Sequence, residues 1–195
     1  MTAIIAPAYL TYSRGVMFRY TEVFVMNKNN KAKDLFAEAM GDFVDTHFEK
    51  SVSTLSKALE YDPEFKLALV ARGSAYFQLN QFDEALEDFN RALAFDPNYA
   101  RAYHLRGLVK EKMGLYEDAI QDFDEAIKLN PEYGAAYFSR ASLKNGLSHT
   151  EEAMADIEMV THLTNKNLET FMNTSNIWQT QQMRVEAAME TELNR

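Results

Sequence analysis

The chain has 195 residues, 47% hydrophobic and 25% charged, with a net charge of −9 and no cysteine. That balance fits a soluble globular chain of one or two domains, and it excludes disulfides, thiol nucleophiles and thiolate metal sites. An acidic chain without a Lys/Arg cluster is a poor nucleic-acid binder, no apolar run reaches bilayer length, and a cytoplasmic protein away from membranes is expected.

Residues 1–31 form an N-terminal leader. Its first 25 residues carry five aromatics and a single acidic residue, and "AIIAPAYL" has no basic residue before it. A signal peptide is therefore not expected. Two readings stand: native translation begins at Met26, or the leader is an apolar segment that folds against Phe36 and Phe77.

From residue 32 onward the chain repeats. Three of its four prolines, Pro63, Pro97 and Pro131, are 34 residues apart and come directly after Asp62, Asp96 and Asn130. Other columns keep the same period: Gly73, Gly107 and Ala141; Ala85, Ala119 and Ala153; Phe48, Phe82 and Tyr116. Leu55, Phe89, Phe123 and Ile157 form another, as do Ala58, Ala92, Ala126 and Val160. A fixed period of this length means stacked supersecondary units. The units are 32–65, 66–99, 100–133 and 134–167.

Each unit divides into two helices, in the second unit over 66–79 and 82–95. Leu69, Gly73 and Tyr76 recur at helical spacing on the first, and Ala85, Phe89 and Ala92 on the second. Small residues let the two backbones approach, and the aromatics fill the space beside them. Proline closes each second helix, because it cannot continue a helix and pushes the preceding residue out of the α region.

In these columns the chain resembles the tetratricopeptide repeat (TPR) family of 34-residue helix–turn–helix units. The resemblance is strongest over "LVARGSAYFQLNQFDEALEDFNRALAFDP" and "YHLRGLVKEKMGLYEDAIQDFDEAIKLNP". It is weaker at both ends, as expected of outer units. Ser51 stands in the first unit where alanine stands later, Asp42 stands where Tyr76 stands one unit later, and Thr150 and Asn165 replace the aromatic and the proline in the last. The fold expected is all-α, a right-handed α-solenoid of about four TPR units with a C-terminal capping helix. Residues 168–195, with the stripe Trp178, Val185, Met189 and Leu193 interrupted by Gln182, supply that cap. Dimerisation through the same stripe is the alternative.

No catalytic constellation is present. His47, His104, His149 and His162 form no H-E-x-x-H spacing, and there is neither a G-x-S-x-G nor a Gly-rich phosphate loop. No enzyme, metal or cofactor is expected. Arg72, Arg106 and Arg140 recur with Asp88, Asp122 and Asp156. Matched periodicity of both signs reads as ion pairs joining the two helices of a unit, or adjacent units, at surface strength of about 0–1 kcal/mol each.

In the resembling family the first helix of each unit lines a concave binding surface. The residues opposite the packing columns are Lys33, Phe36, Met40 and Phe43; Leu67, Val70, Ser74 and Phe77; Arg101, His104, Leu108 and Glu111; and Ala135, Phe138, Ser142 and Asn145. One subset of the family clamps chaperone C-terminal carboxylates with Lys, Asn and Arg on this surface. The equivalent positions here are Phe36, Met40, Val70, Ser74, His104 and Leu108, none of them Lys, Asn or Arg. An apolar helix or hydrophobic peptide fits the stripes better. The resemblance thus implies a non-catalytic protein–protein interaction module, an adaptor or assembly scaffold with a protein or peptide partner. The rival is a self-assembling structural protein, a weak homo-oligomer that uses its outer repeats or C-terminal helix.

Overall fold

The computed structural model describes residues 30–193, with side chains to residue 174. The leader's first 29 residues, and the question of where the protein begins, lie outside the described residues. Among the described residues eight helices succeed one another: α1 (30–44), α2 (Phe48–Tyr61), α3 (Lys66–Gln78), α4 (Phe82–Phe95), α5 (Ala100–Lys112), α6 (Tyr116–Leu129), α7 (Gly134–Gly146) and α8 (Thr150–Leu193). No strand occurs among them. The chain divides into two compact halves at Pro97 and Asn98. In the first half α3 packs against α2 and α4; in the second α5 packs against α6 and α7, α6 against α7, and α7 against α8.

Two kinds of punctuation set the helix lengths. The residue before each proline is extended: Asp62 at φ −138°, ψ 92°, Asp96 at −141°, 89° and Asn130 at −138°, 91°. That is the conformation proline imposes on its predecessor. Asp62 and Asn130 also accept, through their side chains, the amide of the residue two positions on, an Asx turn. The joint within each repeat is different. Thr46, Asn80, Gly114 and Ser148, again 34 apart, all have positive φ, between 58° and 79°. The next residue's amide then bonds back five positions: His47 to Asp42, Gln81 to Tyr76, Leu115 to Lys110 and His149 to Lys144. This Schellman closure satisfies the carbonyls left over at the helix end.

The glycine column works by contact. A Cβ on Gly73 would lie 3.0 Å from the Phe89 ring, and one on Gly107 only 2.6 Å from the Phe123 ring. Phe89 and Phe123 are fully buried. In the second half Phe123 forms a core with Ala119 and Leu143, flanked by Leu108, Ile120 and Leu147.

The arginine–aspartate columns pair as the period requires. Each arginine donates to both oxygens of its aspartate through Nε and Nη2: Arg72–Asp88 at 2.8 and 2.7 Å, Arg106–Asp122 at 2.9 and 2.6 Å, and Arg140–Asp156 at 2.9 and 2.5 Å. Arg72 also reaches back to Ser56 on α2, and Arg140 to Asp124 on α6, so these two pairs tie their repeats to the ones before them. They are not surface pairs. Asp88, Asp122 and Asp156 are buried and the arginines nearly so, so the energetics are those of desolvated charge. Hydrogen bonding to the aspartates raises the Arg72 and Arg106 pKa values above the ordinary arginine value.

The C-terminal end departs from expectation. Residues 168–193 are not a separate cap; they continue α8, which runs unbroken for 44 residues. Asn165 stands where proline ends the other second helices, so nothing stops the helix. A segment that carries on along its own axis cannot return to cover the last repeat, and Met154 and Ile157 on that repeat are exposed.

Candidate functional site

The stripes on the first helix of each repeat lie where the helix crossings leave them. In the first half, Phe36 on α1 packs its ring 5.2 Å from Phe65, which opens α3. Phe43 lies 5.3 Å from Phe48 and Phe77 lies 6.0 Å from Phe82, each on the next helix in the chain. Phe36, Met40, Phe43 and Phe77 are half-buried. Val70 is buried, and Ser74 donates its hydroxyl to the Val70 carbonyl at 2.8 Å, closing it to other partners as a donor. Leu67 is 50% exposed and Lys33 is exposed.

The second half is more polar. Arg101, Ala135, Ser142 and Asn145 are exposed, and Phe138 on α7 is 62% exposed. Leu108 packs against the Phe123 core. Glu111 is half-buried, and burial raises its carboxyl above the ordinary range.

His104 is the buried member of this stripe. Its Nε2 is hydrogen-bonded with Ser139 Oγ at 2.9 Å and its Nδ1 with Tyr133 OH at 3.1 Å, and its ring lies against Phe123. Burial, reinforced by the charge of Arg101, lowers its pKa to about 4, so the imidazole is neutral at physiological pH. Both ring nitrogens are occupied. The histidine is a structural connector between α5, α7 and the turn before α7.

Sequence reasoning missed Tyr133 and Ser139. A signal for Tyr133 exists: Phe65, Tyr99 and Tyr133 each stand two residues after a repeat proline. Phe65 covers Phe36, and Tyr133 covers His104, which occupies the same column two repeats later. The aromatic after the proline thus roofs part of the preceding first helix. Ser139 has no such periodic signal. Among the described residues no group of three or more acidic or histidine side chains is arranged to hold a metal, and no helix is long and apolar enough to cross a membrane.

Comparison with known proteins falls on the same repeats. A family model described as "TPR repeat" matches residues 73–114, and one described as "Tetratricopeptide repeat" matches residues 100–133. The sequence has no match among curated proteins. Among solved structures, a crystal structure of MamA is 25% identical with a TM-score of 0.66, covering 77% of this chain and 87% of that one. The first TPR of Spaghetti (RPAP3), bound to the HSP90 peptide SRMEEVD, is 26% identical with a TM-score of 0.59, covering 62% of this chain and 95% of that one. The Arabidopsis OM64 TPR domain, 21% identical with a TM-score of 0.59, covers 61% of this chain and 98% of that one and speaks to the fold alone.

Proposed function

We propose that this chain, whose residues 73–133 match tetratricopeptide repeat models, is a protein–protein interaction module that binds an apolar helix or an extended hydrophobic segment on the stripes of its first helices. The role is non-catalytic, that of an adaptor or assembly scaffold. The observation that carries it is the exposure of large apolar side chains at stripe positions: Leu67 in the first half and Phe138 in the second. The first-half stripes add the half-buried Phe36, Met40, Phe43 and Phe77; the second-half stripes are mixed, with Arg101, Ser142 and Asn145 exposed as well. An apolar ligand face at helical spacing suits the first, and a ligand face with polar flanks suits the second.

The RPAP3 repeat is solved with an acidic peptide, which supports a peptide as the kind of ligand. An acidic tail calls for cations, and the stripes here offer Lys33 and Arg101 alone. The test is a fluorescence titration of the full chain with a panel of labelled peptides, amphipathic apolar helices and SRMEEVD among them. The expected result is saturable binding of apolar peptides, weakened at least tenfold by Leu67→Glu, where an unpaired carboxylate meets the ligand's apolar face, and little binding of SRMEEVD. Equal binding by wild type and Leu67→Glu, or a preference for SRMEEVD, overturns the assignment.

A further inference from the structure

We infer that two copies of this chain associate along α8, through a seam that begins on the last repeat and continues past it. This goes beyond the peptide-binding stripes and does not depend on them.

The first observation is length. The second helices of the other repeats, α2, α4 and α6, have 14 residues each, whereas α8 has 44. Its first 14 residues do what those helices do: Ala153, Asp156 and Leu163 are buried against the repeat. From residue 164 to 174 every side chain is exposed. A helix of this length held at one end only is marginal in water, because most helical stability comes from packing an apolar face.

The second observation is spacing. The exposed residues Met154, Ile157, Thr161, Thr164, Leu168 and Phe171 succeed one another at steps of 3, 4, 3, 4 and 3. The sequence keeps that alternation through Ser175, Trp178, Gln182, Val185 and Met189. A 3.5-residue period held over this length is the pattern of paired helices rather than of one straight helix, on which such a stripe drifts by about 20° per heptad. Thr161 and Thr164 are the polar members of the described part of the stripe, and their hydroxyls are donated to the Ile157 and Val160 carbonyls of α8 itself.

Charge selects the occupant. In a chain of net charge −9, residues 165–183 hold one lysine and one glutamate, Lys166 and Glu169. Lys166 is already paired with Glu132 of its own half. A helix that lies on an anionic membrane needs a cationic face, and a nucleic-acid partner needs more. A second copy needs neither, and the near-neutral tail removes the like-charge repulsion that two acidic bodies would otherwise bring to the seam.

The test is sedimentation velocity of the full chain over a range of micromolar concentrations, with and without anionic lipid vesicles. Wild type is expected to sediment at twice the 22.4 kDa chain mass. Leu168→Glu/Phe171→Glu, which charges the seam, is expected to sediment as a single chain that loses helical content only from the projecting part of α8. Thr170→Glu/Asn173→Glu adds the same charge off the seam and should leave the dimer intact, as should Leu67→Glu on the peptide-binding stripe. A wild type that stays monomeric at all concentrations, a seam variant that still dimerises, or a monomer that instead sediments with the vesicles overturns the inference.

Discussion

The first repeat and the two after it cross their helices at equivalent positions with different side chains. In repeats two and three a glycine meets a buried phenylalanine, Gly73 with Phe89 and Gly107 with Phe123, and an arginine grips a buried aspartate beside them. In the first repeat the glycine column holds Ala39 and the phenylalanine column Leu55, both buried, and Glu38 and Thr54 replace the ion pair. Ser51, in an alanine column, donates its hydroxyl to the Ala39 carbonyl at 2.9 Å, and Asp42, where Tyr76 stands one repeat later, is buried with its Oδ1 paired to Lys50 at 2.8 Å and its Oδ2 without a hydrogen bond. A smaller residue opposite an alanine keeps the total volume of the crossing, which is what a close-packed interface constrains. The lesson is that the period is a requirement on space. Residue identity is one of several ways to meet it.

The largest test breaks the ion pair that the first repeat does without. Arg72→Met leaves the buried Asp88 carboxylate without its bidentate partner and is expected to cost about 3–5 kcal/mol of unfolding free energy in urea denaturation. Arg72→Met/Asp88→Leu removes both charges and is expected to recover most of that loss, since well-packed apolar groups replace buried pairs at little cost. Failure of the double variant to recover would show that the pair contributes stability of its own, beyond avoiding an orphaned charge.

A second comparison grades the glycines. Gly107→Ala puts a Cβ 2.6 Å from the Phe123 ring and 3.2 Å from the Ala119 carbonyl, with both neighbours fully buried. Overpacking of this kind costs about 1–3 kcal/mol. Gly73→Ala, at 3.0 Å from Phe89, is expected to cost less. Gly41→Ala, in α1 with nothing within 4 Å, should stabilise by about 0.5–1 kcal/mol through helix propensity alone. Thermal melts that rank the three in any other order would break the link between the glycine column and the phenylalanine column.

What is legible in the sequence divides along the same line. The Gly, Ala and Phe columns are visible because close contact leaves few residue choices, and the arginine and aspartate columns because charge pairing needs both members. Their burial is not visible, since identity says which groups pair but not how much water surrounds them. Spacing puts the stripe residues on the first helices, yet Val70 and His104 are buried by neighbours that spacing does not weigh. The unbroken run of α8 has a signal in Asn165, where a missing proline reads equally well as a weak outer repeat and as a missing stop.

The joint inside each repeat is the feature least visible in the sequence, and it supplies the smallest test. Thr46, Asn80, Gly114 and Ser148 are of four residue types, two of them hydroxylated, and what all four share is a left-handed backbone. That conformation is free for glycine, tolerated by asparagine and strained for a β-branched threonine. Thr46→Gly is therefore expected to stabilise the first repeat by about 1 kcal/mol, the relief of strain outweighing the extra entropy of the unfolded chain. Gly114→Ala should destabilise the third repeat by a similar amount, and Asn80→Gly should change stability by a few tenths at most. Denaturation midpoints of the three variants read these differences directly. A destabilising Thr46→Gly would mean that the threonine side chain holds the first repeat through a contact of its own, and the backbone requirement shared by the four joints would no longer explain that position.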